Sequence, residues 1–491
     1  MEYAEYRAQD GVGLAELVRR GELAASEPLE AALARSAQVN DRINAVVRRT
    51  EEWARRTAAE PGSGALAGVP FLLKDLQQEL AGQPSGGGNR ALARVPAAET
   101  AEVVRRWLEA GLVVFGRTNT PEFGAKPVTE PETCGPSRNP WDPERTPGGS
   151  SGGAAAAVAA GVVPLAAASD GGGSIRIPAA CCGVFGLKPG RGLVPAGPMR
   201  AENFHGAAVD GVVSRTVRDS AVALDSVVGG HGTSPYAPAV PERSFAVEST
   251  REPGRLRVGF TGQSALGRPH PDATAALSDA ARLLESLGHR VEPVESPVDL
   301  EALAVDFLRA WSVKLAASVD ETKRLTGATD RDFEQDSRLL AAAGRAVGAA
   351  EYSALLDRWH DYTRRLAEFH RHHDLLLTPA LAGPPVRIGQ LDTPAPLRLA
   401  GELALRLGAR GLLRSTGAVD RVARENLRHV PYTQLANITG RPAMSVPLYW
   451  NRQGLPLGVQ FVGPVAGEGM LFRLAAQLER AHPWARHEPP L

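Results

Sequence analysis

The chain has 491 residues, 43% hydrophobic and 22% charged, a balance that supplies a large core and excludes a disordered or fibrous chain. Its 55 basic side chains equal its 55 acidic ones, so no net field gathers nucleic acid, anionic lipid or acidic substrates. Three cysteines, two of them the neighbours Cys181 and Cys182, argue against a disulfide framework, and the charged opening Met1 to Arg7 has no secretion-signal core, so a reducing cytoplasm is the expected location.

In chain order, Ser26 is placed to cap a helix whose face repeats Leu29, Ala32, Leu33, Ser36 and Ala37. Gly68 to Leu73 is a short apolar run containing Gly68 and Pro70, which predicts a buried strand with Lys74 at its end. A helical stripe of Val103, Val104, Trp107 and Leu108 stops at Gly111, and Leu112 to Phe115 resumes as strand. The alanine-rich stretch Ala154 to Ala168, broken by Gly161 and Pro164, is shorter than the roughly 20 residues of a membrane span and reads as a buried segment. Val228 to Gly254, rich in proline, glycine and serine, predicts a surface connection. The α/β alternation returns with a strand at Leu256 to Phe260, a capped helix from Asp272 to Leu287 ended by Gly288, and a strand at Arg290 to Val294. From about Leu300 to Val430 the pattern is mostly helical, with one strand near Asp374 to Pro379. Two closing strands are expected around Met444 to Leu448 and Leu457 to Val462.

The most unusual segment is Gly148-Gly149-Ser150-Ser151-Gly152-Gly153, followed by the alanine-rich stretch and then Asp170-Gly171-Gly172-Gly173-Ser174-Ile175-Arg176-Ile177-Pro178. Glycine permits close backbone approach, so successive N–H groups can converge on one oxygen, as stabilising a charged transition-state oxygen requires. A serine hydroxyl is a weak nucleophile until a base accepts its proton. No histidine stands near either motif; the nearest base by residue type is Lys74, whose apolar surroundings disfavour its charged form.

With Gly68-Val69-Pro70-Phe71-Leu72-Leu73-Lys74-Asp75, the double-serine turn, the run from Gly172 to Ala179, Cys182-Gly183 and Gly186-Leu187-Lys188-Pro189, the chain resembles the amidase signature family. The 24-position spacing from Ser150 to Ser174 matches that family too, as do Gly116 to Phe123, Arg138 to Trp141 and Gly454 to Gln460. The resemblance implies an α/β amidase-signature fold with a mixed central sheet covered by helices on both sides. It implies one domain over 1–491: a helical segment to 65, a catalytic core over 66–195, a variable substrate-pocket region over 196–430 with the 228–254 connection, and closing strands with a C-terminal helix over 431–491. It implies amide hydrolysis through an acyl-enzyme, with Ser174 as nucleophile, Ser150 after a cis peptide as proton relay, and Lys74 as base. The N–H groups of Gly171, Gly172, Gly173 and Ser174 would hold the oxyanion. The general shape is closest to bacterial stand-alone amidases, including the branch acting on aminohexanoate oligomers and aryl acylamides. Two positions depart from the pattern: Gly171 where a larger residue is usual, and Gly190 where threonine is usual.

Other residues have plainer readings. Asp170 and Arg176 are expected to pair and hold the nucleophile's loop, and Asp75 to be a structural acceptor. The run His370-Arg371-His372-His373-Asp374 reads as a solvated helix end rather than a metal site, and Cys181 and Cys182 as small packed hydrophobes. No cofactor is expected; the partner is a small-molecule amide, without nucleic acid or membrane, and a homodimer is left open. One alternative is the glutaminase subunit of a tRNA-dependent amidotransferase, whose glutamine-specific branch carries a tyrosine-rich helix where this chain has only Tyr352 and Tyr362. The other is an α/β-hydrolase, since Gly148 to Gly152 satisfies Gly-x-Ser-x-Gly, but Pro140 to Pro147 makes a poor strand to lead into it.

Overall fold

The glycine- and proline-bounded apolar runs build two β-sheets. A computed structural model describes residues 1–239, 241–406 and 424–491; the 407–423 part of the expected helical region lies outside the described residues. Strands β1 (Val46–Arg49), β2 (Pro70–Lys74) and β3 (Val113–Thr118) form a small sheet in the order β1-β3-β2, with β2 and β3 parallel. Strands β4 (Leu165–Asp170), β5 (Phe185–Lys188), β6 (Val209–Ser214), β7 (Arg257–Phe260), β8 (Arg290–Pro293), β9 (Leu375–Pro379), β10 (Ala443–Val446) and β11 (Val459–Val462) form an eight-stranded mixed sheet. Its order is β4-β6-β5-β10-β11-β9-β7-β8. The mixed sheet is as expected; the separate small sheet, which carries Lys74, is not.

Every residue of β2 is buried, including Lys74, because elements cover both of its faces and no polar-apolar alternation is needed. One of those elements is the helix Gly152–Ala159. It is apolar on all sides and buried along its whole length, as a helix inside a core must be. The expected buried stretch Ala154 to Ala168 therefore divides at Gly161 into this helix and β4. One apolar core runs from Tyr6 to Trp484 and joins both sheets. Among the described residues no helix is long and apolar enough to cross a membrane.

Several boundaries differ from the sequence reading. Ser26 is the first residue of the helix Ser26–Ile43 rather than its cap: Ala25 stands at that position, and Glu27 accepts from the Ala24 N–H at 2.9 Å. The helix expected from Asp272 spans Pro271–Ser286 and is capped by His270, whose Nδ1 accepts from Asp272 N. The 228–254 connection contains a helical turn, Phe245–Glu248, because Phe245 is buried against Phe472 and Asp225 accepts from the Phe245 and Ala246 N–H groups. The histidine run ends the helix Ala349–His372, but of its histidines only His372 is well exposed; His373 stacks on Phe369 and meets Glu292 at 2.8 Å, docking the helix on β8. No metal-ligating cluster occurs among the described residues.

Gly153 shows how closely this core is built. A Cβ there would stand 2.5 Å from Asn119 N and 2.7 Å from Ala45 O, both backbone atoms that cannot swing away. Glycine to alanine in an open helix gains roughly 1 kcal/mol. Here the overlap reverses the sign, and Gly153→Ala is predicted to destabilise the protein by about 1–3 kcal/mol in urea unfolding; a raised midpoint would contradict the packing described.

Candidate active site

Strands β2 and β4 pack together and deliver their polar residues from their C-terminal ends: Lys74 closes β2, and Ser169 and Asp170 close β4. Ser150 enters from the turn before the helix Gly152–Ala159, and the Gly149–Ser150 peptide is cis, as the resemblance implied. That turn lies directly on Val128, where a Cβ on residue 149 would stand 2.6 Å from backbone N and O, so glycine is required. Thr129 clamps both sides of the turn, donating to Gly148 O at 2.8 Å and accepting from Gly152 N at 3.1 Å.

Lys74 Nζ lies 2.7 Å from Ser150 Oγ and 3.0 Å from Ser169 Oγ. Its backbone is fixed by Gln78, which accepts from Lys74 N, and by Arg117, which donates to Lys74 O. Complete burial pulls its ammonium down from the ordinary lysine value to about 7, against the upward pull of Asp210 and Asp170. Burial likewise pushes Asp210 up to about 7, although its carboxylate accepts from Gln78 Nε2 at 2.9 Å. An amine that changes charge near neutral pH, with a hydroxyl at hydrogen-bond distance, can take up or return a proton.

Ser174 stands half-buried in the loop between β4 and the helix Arg176–Cys182. Ser150, Ser169, Gly171 and Ser174 line one cavity that is open to solvent. Phe123, Phe204 and Trp311 form apolar parts of its wall. The geometry thus brings Ser150 and Ser174 to one cavity, with Lys74 behind Ser150.

The loop bearing Ser174 is held from beneath by a fully buried ion pair. Arg176 grips Asp170 with two hydrogen bonds of 2.9 Å, and both side chains are 0% exposed. Arg176 also donates to Thr433 O, Gln460 Oε1 and Asn437 Oδ1, while Asn437 Nδ2 donates to Asp170 at 2.8 Å. Burial alone would raise the Asp170 carboxyl, yet the guanidinium beside it holds it well below the usual carboxylate range. Gly173 turns the loop at φ 125°, and a Cβ there would stand 2.3 Å from Thr433 Oγ1. Its N–H donates to Asp170 Oδ1 at 2.7 Å, and Thr433 and Gln434 donate to the Gly172 carbonyl.

The remaining candidates have structural places. Asp75 accepts from Gly86 N at 2.9 Å. Cys181 and Cys182 are buried, which pushes both thiols up. Gly190 has its N–H on Glu468 Oε1 at 2.8 Å, and a Cβ on residue 171 would come within 3.3 Å of the Trp311 ring. Sequence reasoning missed Ser169, Gln78, Asp210 and Asn437. The polar spacing Thr433, Gln434 and Asn437 within an apolar run was the signal available for the last; Gln78 and Asp210 meet only through the fold.

The amidase family's sequence pattern matches residues 27–472. The chain belongs to the amidase family. It is a hydrolase acting on carbon–nitrogen bonds other than peptide bonds, and its relatives agree with that. It is 36% identical over 493 residues to the 6-aminohexanoate-cyclic-dimer hydrolase of Pseudomonas sp. (strain NK87), covering 98% of this chain and 97% of the relative. Among solved structures, a 6-aminohexanoate cyclic dimer hydrolase superposes with TM-score 0.90 at 35% identity over 98% of both chains. A bacterial aryl acylamidase of the amidase signature family superposes with TM-score 0.84 at 28% identity over 97% of both. Within this amidase the Asp170–Arg176 pair is costly to break, since removing one partner strands a charge in the interior. Arg176→Met is predicted to cost about 3–5 kcal/mol in urea unfolding; a loss under about 1 kcal/mol would show that Asp170 is held by its other partners.

Proposed function

We propose that this amidase cleaves its substrate through an acyl-enzyme on Ser174, with Ser150 as proton relay and Lys74 as base. The observation that carries the reading is the buried Lys74 amine 2.7 Å from Ser150 Oγ, with Ser150 and Ser174 facing one cavity. Ser174 Oγ attacks the amide carbonyl carbon; its proton goes to Ser150 Oγ, whose own proton passes to Lys74 Nζ. The resulting oxyanion is met by the backbone N–H groups of Gly171, Gly172 and Ser174, since that of Gly173 is occupied by Asp170. As the C–N bond breaks, Ser150 protonates the departing amine and Lys74 returns its proton to Ser150. Water then attacks the ester by the same relay and releases the acid and Ser174.

The depressed Lys74 value supports this role. Free lysine, near 10.4, is neutral in roughly one molecule per thousand at pH ~7.4, whereas a group titrating near 7 is mostly neutral there. Likeness to the cyclic-dimer hydrolase and the aryl acylamidase supports aliphatic and aryl amides as substrate classes. The relay is complete in protein side chains, so a chelator should leave the rate unchanged.

Two measurements test the proposal. A fluorophosphonate should add to one site, and the adduct should vanish in Ser174→Ala by intact-protein mass spectrometry; labelling that survives there and is lost in Ser150→Ala would move the nucleophile. The pH profile of kcat/KM should rise through an ionisation near 7, because the neutral amine is the active form and lies on the high-pH side. Lys74→Ala should remove that ionisation and lower kcat/KM on amides by about 10²–10⁴-fold, with a smaller loss on matched esters, whose leaving group needs less protonation. An unchanged profile in the variant would assign the base elsewhere.

A further inference from the structure

The helix Leu300–Thr326 lies over the loop that bears Ser174. Phe307 stands where a Cβ on Gly172 would fall, and Trp311 comes within 3.3 Å of a Cβ on Gly171. Along the same helix Trp311, Lys314, Leu315 and Ser318 all line the cavity that holds Ser150 and Ser174. Their spacing of three, four and seven residues is that of one helical face, so Lys314 begins only about 4–5 Å along the axis beyond Trp311.

Lys314 is the one basic side chain among the residues that line this cavity. It is half-buried, and burial together with the Arg200 guanidinium pushes its ammonium down. The nearby acids are engaged elsewhere: Glu321 pairs with Arg200 at 3.6 Å, and Glu202 accepts from the Tyr236 hydroxyl and meets His205. Among the described residues no carboxylate lies within ion-pair distance of Lys314. A partly desolvated ammonium without a carboxylate gains from an anion far more than a solvated surface lysine does.

We propose that Lys314 is a specificity-determining residue that binds a free carboxylate on the substrate, so that the site favours amides carrying a carboxylate a short chain away from the scissile carbonyl. The carboxylate can belong to the acyl half, as in a dicarboxylic acid monoamide, or to the amine half, as in an N-acyl amino acid; the chemistry Lys314 reads is the same. A carboxylate oxygen would replace water on Lys314 Nζ while the amide carbonyl lies against the Gly171 to Ser174 loop. The proposal rests on the reading of this cavity as the amide site.

The test separates binding from turnover. Glutaric acid mono-anilide and its uncharged methyl-ketone isostere probe the acyl side, and N-benzoyl-β-alanine and its methyl-ketone isostere probe the amine side. Calorimetry on Ser174→Ala reads binding without hydrolysis. At least one carboxylate ligand should bind about tenfold or more tightly than its isostere, the size of one charge-assisted hydrogen bond. Lys314→Met should abolish that preference while leaving the isostere's affinity unchanged, and Lys314→Arg should keep much of it. The chain with Ser174 intact should show the same preference in KM rather than in kcat. Equal binding of both members of each pair, or a preference that survives Lys314→Met, overturns the proposal. Binding that follows Lys314 without any hydrolysis when Ser174 is intact would leave the carboxylate site standing and defeat the acyl-enzyme reading instead.

Discussion

A lysine amine held in the interior by two hydroxyls, with no carboxylate bonded to it, is the constraint around which the rest of this structure is arranged. Ser150 and Ser169 give Lys74 Nζ hydrogen-bond partners that accept from the ammonium and can donate to the free amine, so neither charge state is locked in. Had Asp210 reached Nζ directly, an ion pair would have stabilised the ammonium. Gln78 instead takes the Asp210 carboxylate and the Lys74 N–H, keeping the acid nearby but bonded elsewhere. Burial then decides the balance and brings the amine to about 7.

The same interior holds a charge pair of the opposite kind at the end of β4. Asp170 and Arg176 form a buried ion pair whose remaining donors and acceptors are met by Thr433, Asn437 and Gln460. This network ties the Ser174 loop to the helix Gln434–Ile438 and to β11, so residues far apart in sequence set the loop's shape. A lysine bonded to hydroxyls and a fixed ion pair thus lie close together: on the proposed mechanism the first changes charge during turnover, while the second keeps a loop still. The difference follows from partners, hydroxyls in one case and a bidentate guanidinium in the other.

The parts legible in the sequence were those whose local chemistry is unusual. Two glycine-rich serine turns around an alanine-rich run, and a lysine ending an apolar strand, stand out before any fold is known. Lys74, Ser150, Asp170, Arg176 and Ser174 accordingly fall together in the structure. Strands β2 and β3 of the small sheet were legible as the runs Gly68 to Leu73 and Leu112 to Phe115, but β1, which reads Val-Val-Arg-Arg, has no alternation or length to announce it, and the separate sheet went unseen with it. Strand β6 was missed since Asp210 and Gly211 break its apolar run, and Asp210 is there for its position beside Gln78. The true helix caps at Ala25 and His270 escaped because propensity favours serine and aspartate at those positions, while neighbouring contacts chose otherwise.

The proposed proton relay depends on Lys74 being neutral at working pH. The chain has five lysines, Lys74, Lys126, Lys188, Lys314 and Lys323, so selective ¹⁵N labelling of lysine side chains gives a spectrum in which each Nζ can be assigned by substitution. Following the Lys74 signal from pH 5 to 11 in the resting protein reads its charge directly and independently of any substrate. A midpoint near 7 is the predicted result. A midpoint near the free-lysine value of about 10.4 would contradict it, because an amine still protonated at neutral pH cannot serve as the base.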